Sequence, residues 1–204
     1  MCGRYLLISD EAHPITKKIR QSIENDPLSA NWHDGEIVPS EYAPVLIAEN
    51  HCAAVRMYMW GLHNPKSKQL IINARSETVT EKPMFRDAFL HRRCAVPSAG
   101  FYEWQKKSGQ KYRFSLPEDS VFYFAGLFNI SDGVGHFVIL TTEANESVSP
   151  IHNRMPLILT EQTYQTWLFD QKEAFRILET KSPKIFDIQC KEAETNPTFF
   201  DHLA

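Results

Sequence analysis

Three short segments share one spacing: Cys2-Gly3-Arg4, Asn73-Ala74-Arg75 and His152-Asn153-Arg154. Each sets a chemically capable side chain two residues before an arginine. In extended backbone, residues i and i+2 point to the same face. Each segment can therefore aim a short polar group and a guanidinium into one space. A fourth segment, Gly100-Phe101-Tyr102-Glu103-Trp104, carries a carboxylate inside an otherwise apolar strand. Burial raises the pKa of such a carboxyl, and a Glu held there must be paired or act as a general acid/base. Taken singly, these residues have plain readings: solvated or structural Arg4, Arg75 and Arg154, an ion-paired Glu103, a packed His152, a hydrogen-bonding Asn73. Convergence of all four segments is what would make them a site.

The elements that must achieve this are mostly strands. Arg4 to Ile8 is short and apolar-rich. Pro44 to Ala48 and Cys52 to Trp60 flank Glu49-Asn50-His51 as in a hairpin. Further strands are expected at Leu70 to Asn73, Cys94 to Val96, Phe101 to Trp104, Lys111 to Leu116, Val121 to Phe124, His136 to Thr141, Pro156 to Leu159 and Ile185 to Gln189. Glu11 to Ile23 repeats Ile at a four-residue step, the mark of an amphipathic helix. Met84 to Arg92, Thr160 to Leu168 (with Thr160 as N-cap) and Gln171 to Glu179 are the other helices. The fold class expected is α+β: one domain over 1–204, mainly antiparallel β, with peripheral helices.

Composition narrows the partners. The chain has 204 residues, 43% hydrophobic and 12% aromatic, with only 8 glycines, which favours a well-filled strand-rich core over disorder. A net charge of −3 argues against a polybasic protein that binds by bulk charge. No run reaches the ~20 apolar residues of a membrane span, and no secretion signal opens the chain, so a cytoplasmic place is expected. The four cysteines form no C-x2-C pair, which leaves no zinc or disulfide framework. Cys52, Cys94 and Cys190 lie in or beside apolar runs and read as small buried hydrophobes.

Across these same residues the chain resembles the SRAP-domain family, the SOS response-associated peptidases or abasic site processing proteins. The resemblance rests on Met1-Cys2-Gly3-Arg4-Tyr5, Trp60-Gly61-Leu62, Asn73-Ala74-Arg75-Ser76-Glu77-Thr78, Pro83-Met84-Phe85-Arg86, Arg92-Arg93-Cys94, Gly100-Phe101-Tyr102-Glu103-Trp104, Ala125-Gly126-Leu127, Thr141-Thr142, Ala144-Asn145 and Ile151-His152-Asn153-Arg154-Met155-Pro156. These blocks fall in order within residues 1–160. The resemblance implies a barrel-like, mainly β fold and covalent capture of abasic sites in single-stranded DNA. By it, Cys2 becomes the first residue once Met1 is removed and attacks the sugar aldehyde, while Asn73, Glu103 and His152 line the site. Arg4, Arg75, Arg86 and Arg154 match phosphate-holding positions; Phe85 and Trp104 match positions that pack against nucleotides. It implies no cofactor and no metal, a monomer, no membrane partner and a nucleoid-associated location.

The chemistry suits the residues. An α-amine has a pKa of about 7.7–8.0, so at neutral pH an appreciable fraction can attack an aldehyde, far more than for Lys. The thiol of the same residue then closes on the imine carbon to give a thiazolidine, and holding both groups together supplies proximity. Glu103 would move protons, His152 would protonate or orient the opened sugar, and Asn73 would orient the amine or sugar. One departure is visible: after Trp60-Gly61-Leu62 the chain reads His63-Asn64-Pro65-Lys66-Ser67-Lys68, without the second tryptophan common in the family. Lys66 and Lys68 are either substitute phosphate contacts or part of a solvated loop. Two other functions compete: a peptidase or amidohydrolase with Cys2 as nucleophile and His152 as base, self-processing included, and a non-covalent single-strand binding module.

Overall fold

The computed structural model describes residues 2–7, 14–31, 33–64, 66–116, 121–180 and 187–191. Strands β1 (Tyr5–Leu7), β2 (Gly35–Ile37), β3 (Tyr42–Glu49), β4 (Cys52–Trp60), β5 (Asn73–Arg75), β6 (Arg93–Ser98), β7 (Gly100–Trp104), β8 (Lys111–Ser115), β9 (Phe122–Ser131), β10 (Val134–Glu143), β11 (Arg154–Pro156), β12 (Ile158–Leu159) and β13 (Asp187–Lys191) form two sheets. Helices α1 (Pro14–Ile23), α2 (Pro83–His91), α3 (Thr163–Phe169) and α4 (Gln171–Glu179) complete the described elements. In the larger sheet β10, β4, β3, β6 and β9 pair in turn, and β9 pairs back onto β10, closing a barrel. The smaller sheet runs β13-β8-β7-β1-β2. Nearly all pairings are antiparallel; β10 pairs in parallel with β4 and β5.

The barrel strands are apolar on both faces because each face meets a different core. In β3, Ala43, Val45 and Ile47 join Tyr5, Leu7, Phe101 and Phe114 of the smaller sheet. The alternate residue Leu46 faces the helices with Val55, Met57, Phe89 and Trp167. β6, β9 and β10 split the same way, as the two-residue period of a strand requires. Gly126 is needed where β9 crowds β6: a Cβ there would stand 2.8 Å from Cys94 Sγ and 3.0 Å from Val138 O.

One buried cation joins helices to barrel. Arg93, at the start of β6, donates to the carbonyls of Phe89 (2.8 Å) and Leu90 (3.2 Å) at the end of α2. The same guanidinium donates to Trp167 (2.6 Å) and Leu168 (3.2 Å) near the end of α3. These are carbonyls that helix termini leave unsatisfied, and the helix dipoles favour a positive charge there.

The α+β, mainly antiparallel barrel expected from sequence is the fold found. Several boundaries differ. The hairpin is present, and both turn residues, Asn50 and His51, take positive φ. The strand expected at Val121 to Phe124 extends to Ser131. The strand expected at Leu70 to Asn73 lies two to three residues later, at β5. Pro156 to Leu159 divides into β11 and β12, which pair with β10 and β9 respectively. β2 has no counterpart among the expected strands. The helix starts later than expected: α3 begins after Gln162, and the Thr160 hydroxyl meets the Thr163 hydroxyl (3.2 Å) instead of a backbone N–H, while Thr160 N–H donates to Thr163 Oγ1 at 2.8 Å. Cys94 is fully buried as expected, but Cys52 is exposed, because it opens β4 just after the hairpin turn. The Cys190 side chain, Ile8, residues 11–13, Ile185 and Phe186 lie outside the described residues. Among the described residues no helix is long and apolar enough to cross a membrane.

Candidate functional site

β1 and β7 run antiparallel, with Tyr5 opposite Phe101, and Tyr102 N–H donates to Arg4 O at 3.0 Å. That pairing lays Cys2 beside the far half of β7, where Glu103 sits. On the barrel, β5 pairs along β10 with Asn73 opposite Ile139. β11 pairs farther along β10, with Arg154 opposite Glu143. β10 thus brings Asn73 and the His152–Arg154 segment toward the same end.

These registers bring together the four residues singled out as catalytic. Asn73 Nδ2 donates to the Cys2 carbonyl at 2.8 Å. Asn73 Oδ1 is buried with no hydrogen-bond partner among the described residues. His152 Nδ1 lies 3.9 Å from Glu103 Oε1, beyond hydrogen-bond reach. Nδ1 also meets the Arg154 carbonyl (3.0 Å) and the Arg154 N–H (3.1 Å), and the tautomer decides which of the two it bonds. The Cys2 thiol points to the Arg4 carbonyl at 3.5 Å and is fully buried.

Electrostatics follow from burial. Glu103 is 3% exposed, and desolvation lifts its pKa from 4.5 to about 7. Burial, and after it the Glu103 charge, pushes the Cys2 thiol far above the ordinary thiol range, so the sulfur stays protonated. Burial pulls His152 below its ordinary value, which leaves the imidazole neutral at pH 7. The site therefore holds a neutral thiol, a neutral imidazole and a carboxyl poised near neutrality.

Two of the arginines turn to carboxylates, whereas Asn73 and Arg75 lie two residues apart in β5, as the spacing requires for a shared face. The Cys2–Arg4 stretch precedes β1, with the Cys2 side chain fully buried and the Arg4 side chain part-exposed. Arg4 Nη1 donates to Glu36 at 2.6 Å and its guanidinium lies 5.7 Å from the Trp104 ring centroid. Arg154 forks onto both oxygens of Glu77, at 2.5 and 2.9 Å, and donates to Thr141 O. Arg75 and Arg86 are exposed. Trp104 is 38% exposed, with the Arg4 guanidinium and Lys111 Nζ (5.8 Å) over its ring. Phe85 is 6% exposed and packs in the helix-side core, so it meets no nucleotide without leaving that core. Lys66 and Lys68 are exposed in the loop after Leu62.

Sequence reasoning passed over Glu36 and Lys111. Lys111 Nζ contacts both Glu36 oxygens, at 2.8 and 3.1 Å, and lies 4.4 Å from the Tyr102 ring centroid. Lys111 faces Trp104 across the β7–β8 register. A lysine opposite that tryptophan was the available signal. Glu36 gave none, because β2 is only three residues long. Among the described residues no group of His, Cys, Asp or Glu could hold a metal ion.

Comparison with known proteins places this arrangement. A family model described as SOS response associated peptidase (SRAP) matches residues 1–194. "Abasic site processing protein YoqW" of Bacillus subtilis (strain 168) is 33% identical over 182 residues, covering 82% of this chain and 80% of that protein. "Abasic site processing protein YedK" of Escherichia coli (strain K12) is 26% identical over 191 residues, covering 87% and 85%. A crystal structure of a protein from Bacteroides thetaiotaomicron superposes with a TM-score of 0.73 at 21% identity, covering 94% of this chain and 93% of that one. With its barrel, its motif blocks and these relatives, the chain belongs to the SOS response associated peptidase (SRAP) family.

Proposed function

We propose that this protein processes abasic sites in single-stranded DNA by covalent capture at Cys2. The relatives named abasic site processing proteins support the target. The observation that carries the chemistry is the buried, protonated Cys2 thiol held beside a Glu103 carboxyl whose pKa is near neutrality. With residue 1 attached, the Cys2 nitrogen is a peptide amide; removal of that residue exposes an α-amine. The amine adds to the C1′ aldehyde of the opened sugar, and loss of water gives an imine, with Glu103 donating the proton to the departing hydroxyl. The thiol then adds to the imine carbon: a C–S bond forms, the thiol proton passes to the ring nitrogen, and nothing is oxidised or reduced. Asn73 fixes Cys2 through its carbonyl and keeps Oδ1 as an acceptor for the amine or a sugar hydroxyl. Neutral His152 donates to the opened sugar in this reading, consistent with its lowered pKa. Arg4, Arg75, Arg86 and Arg154 contact phosphates, and Trp104 offers its face to a base. Phe85 supports α2 from beneath.

A peptidase reaction would need the Cys2 thiolate. Burial and the Glu103 charge both oppose that form, so the amine-first route fits better. The test is a denaturing gel of protein lacking residue 1 with single-stranded DNA bearing one abasic site. A slow-migrating band, absent with Cys2→Ala, is expected. No such band from protein whose mass proves an exposed Cys2 would overturn the reading, and hydrolysis of a peptide substrate dependent on Cys2 would favour the peptidase.

A further inference from the structure

Two of the arginines proposed to hold phosphate already hold carboxylates, and the two pairs are built differently. Glu77 receives both of its arginine hydrogen bonds from Arg154, which is also tied to Thr141 and has a side chain only 16% exposed. Glu36 is shared. It accepts from Arg4 (2.6 Å), from Lys111 through both oxygens, and from the Tyr102 hydroxyl. The Lys111 side chain is 5% exposed and sits over the Tyr102 ring, held in place by burial; the Arg4 side chain is 33% exposed and lies over the Trp104 ring. If Arg4 turns to another anion, Glu36 keeps a buried cation and a hydroxyl. Desolvation raises the Glu36 pKa, but the hydrogen bonds from Lys111 and Arg4 outweigh it, so the carboxylate is charged at neutral pH.

We propose that Glu36 is an internal substitute for phosphate: it holds Arg4 in the DNA-free protein, cedes it to a backbone phosphate on strand binding, and retains Lys111 and Tyr102. Arg4 is then gained by the strand through exchange of one anion for another. Intact single strands are held weakly, and the covalent step at the aldehyde decides which strand stays. Glu36 is thus a specificity-setting residue that touches neither the sugar nor the reacting atoms. The inference rests on the proposed function above, and its test separates the two.

The test measures affinity for an intact, fluorescently labelled single-stranded oligonucleotide at low salt, by anisotropy, alongside crosslinking to its abasic counterpart. Glu36→Gln should tighten binding to the intact strand about two- to fivefold, the scale of a part-exposed ion pair. Intact strand should also compete better against crosslinking in that variant. In an Arg4→Gln background the same change should have little effect. Lys111→Gln leaves Arg4 as the remaining cation on Glu36 and should weaken binding by a similar factor, again only when Arg4 is present; it decides the matter if Glu36→Gln does not fold. An equal gain with and without Arg4 would reduce Glu36 to general charge, and unchanged affinity in both variants would also overturn the proposal. If the unaltered protein neither binds nor crosslinks, the fault lies with the proposed function instead.

Discussion

Glu103→Gln isolates the central electrostatic claim. Gln has the shape of a protonated glutamic acid and cannot ionise. In the folded protein the Glu103 pKa is lifted from 4.5 to about 7 by burial. Below pH 4.5 the group is protonated in both folded and unfolded chains and contributes no pH dependence. Between 4.5 and about 7 the folded chain binds the proton and the unfolded chain does not, so stability falls as pH rises. Above about 7 the loss is complete. At about 1.4 kcal/mol per pH unit, this lift corresponds to roughly 3 kcal/mol. His152 acts in the opposite sense: its lowered pKa adds stability above its unfolded value, lost as pH falls through the histidine range. The comparison must therefore be between protein and variant at each pH. Thermal unfolding followed by circular dichroism should show nearly equal melting temperatures near pH 4.5. At pH 8 the variant should melt higher by roughly 6–12 °C, at about 2–4 °C per kcal/mol for a chain of this size. A difference that stays flat across this range would refute a desolvated Glu103, and with it the acid/base role built on it.

Gly126→Ala should destabilise the protein by about 1–3 kcal/mol, because its Cβ would meet Cys94 Sγ. Adding Cys94→Ala should recover part of that loss in a chemical-denaturation midpoint, and no recovery would mean that the Val138 carbonyl is the true obstacle. Asn73→Ala removes the donor from the Cys2 carbonyl and should cost about 1–3 kcal/mol, with slower crosslinking at unchanged affinity for intact strand. An unchanged crosslinking rate would mean that Cys2 is positioned without it.

Much of the scaffold was legible because strand and helix periods are local. α4 falls on the expected residues, capped by Asp170, whose side chain accepts from Glu173 N. The β3–β4 hairpin is legible from its turn residues. What local pattern could not supply was length where a glycine intervened, as at Gly126 in β9, or the start of α3, which falls after Gln162 where Thr160 and Thr163 bond to each other. The four candidate catalytic residues were named from type and spacing, but their meeting depends on β1 lying against β7 and β5 against β10. The arginines show the opposite limit. Their spacing suggested a shared pocket, whereas two of the three are held by a distant carboxylate: Glu36 for Arg4 and Glu77 for Arg154.

The Arg93 guanidinium has a consequence for how the molecule comes apart. Its partners lie 3–4 residues away on α2 and 74–75 residues away near the end of α3. Neither helix can detach by itself without leaving donors of a buried cation unanswered, a penalty larger than for a neutral hydrogen bond. The two helices and the edge of β6 therefore open as one cooperative unit, although the α3 carbonyls lie 74–75 residues from Arg93 in sequence. The Trp167 indole, bonded to the Cys94 carbonyl, fastens the same unit to the barrel strand. Local fraying, the ordinary fate of short peripheral helices, is thereby converted into an all-or-none event on the face of the barrel that α2 and α3 cover.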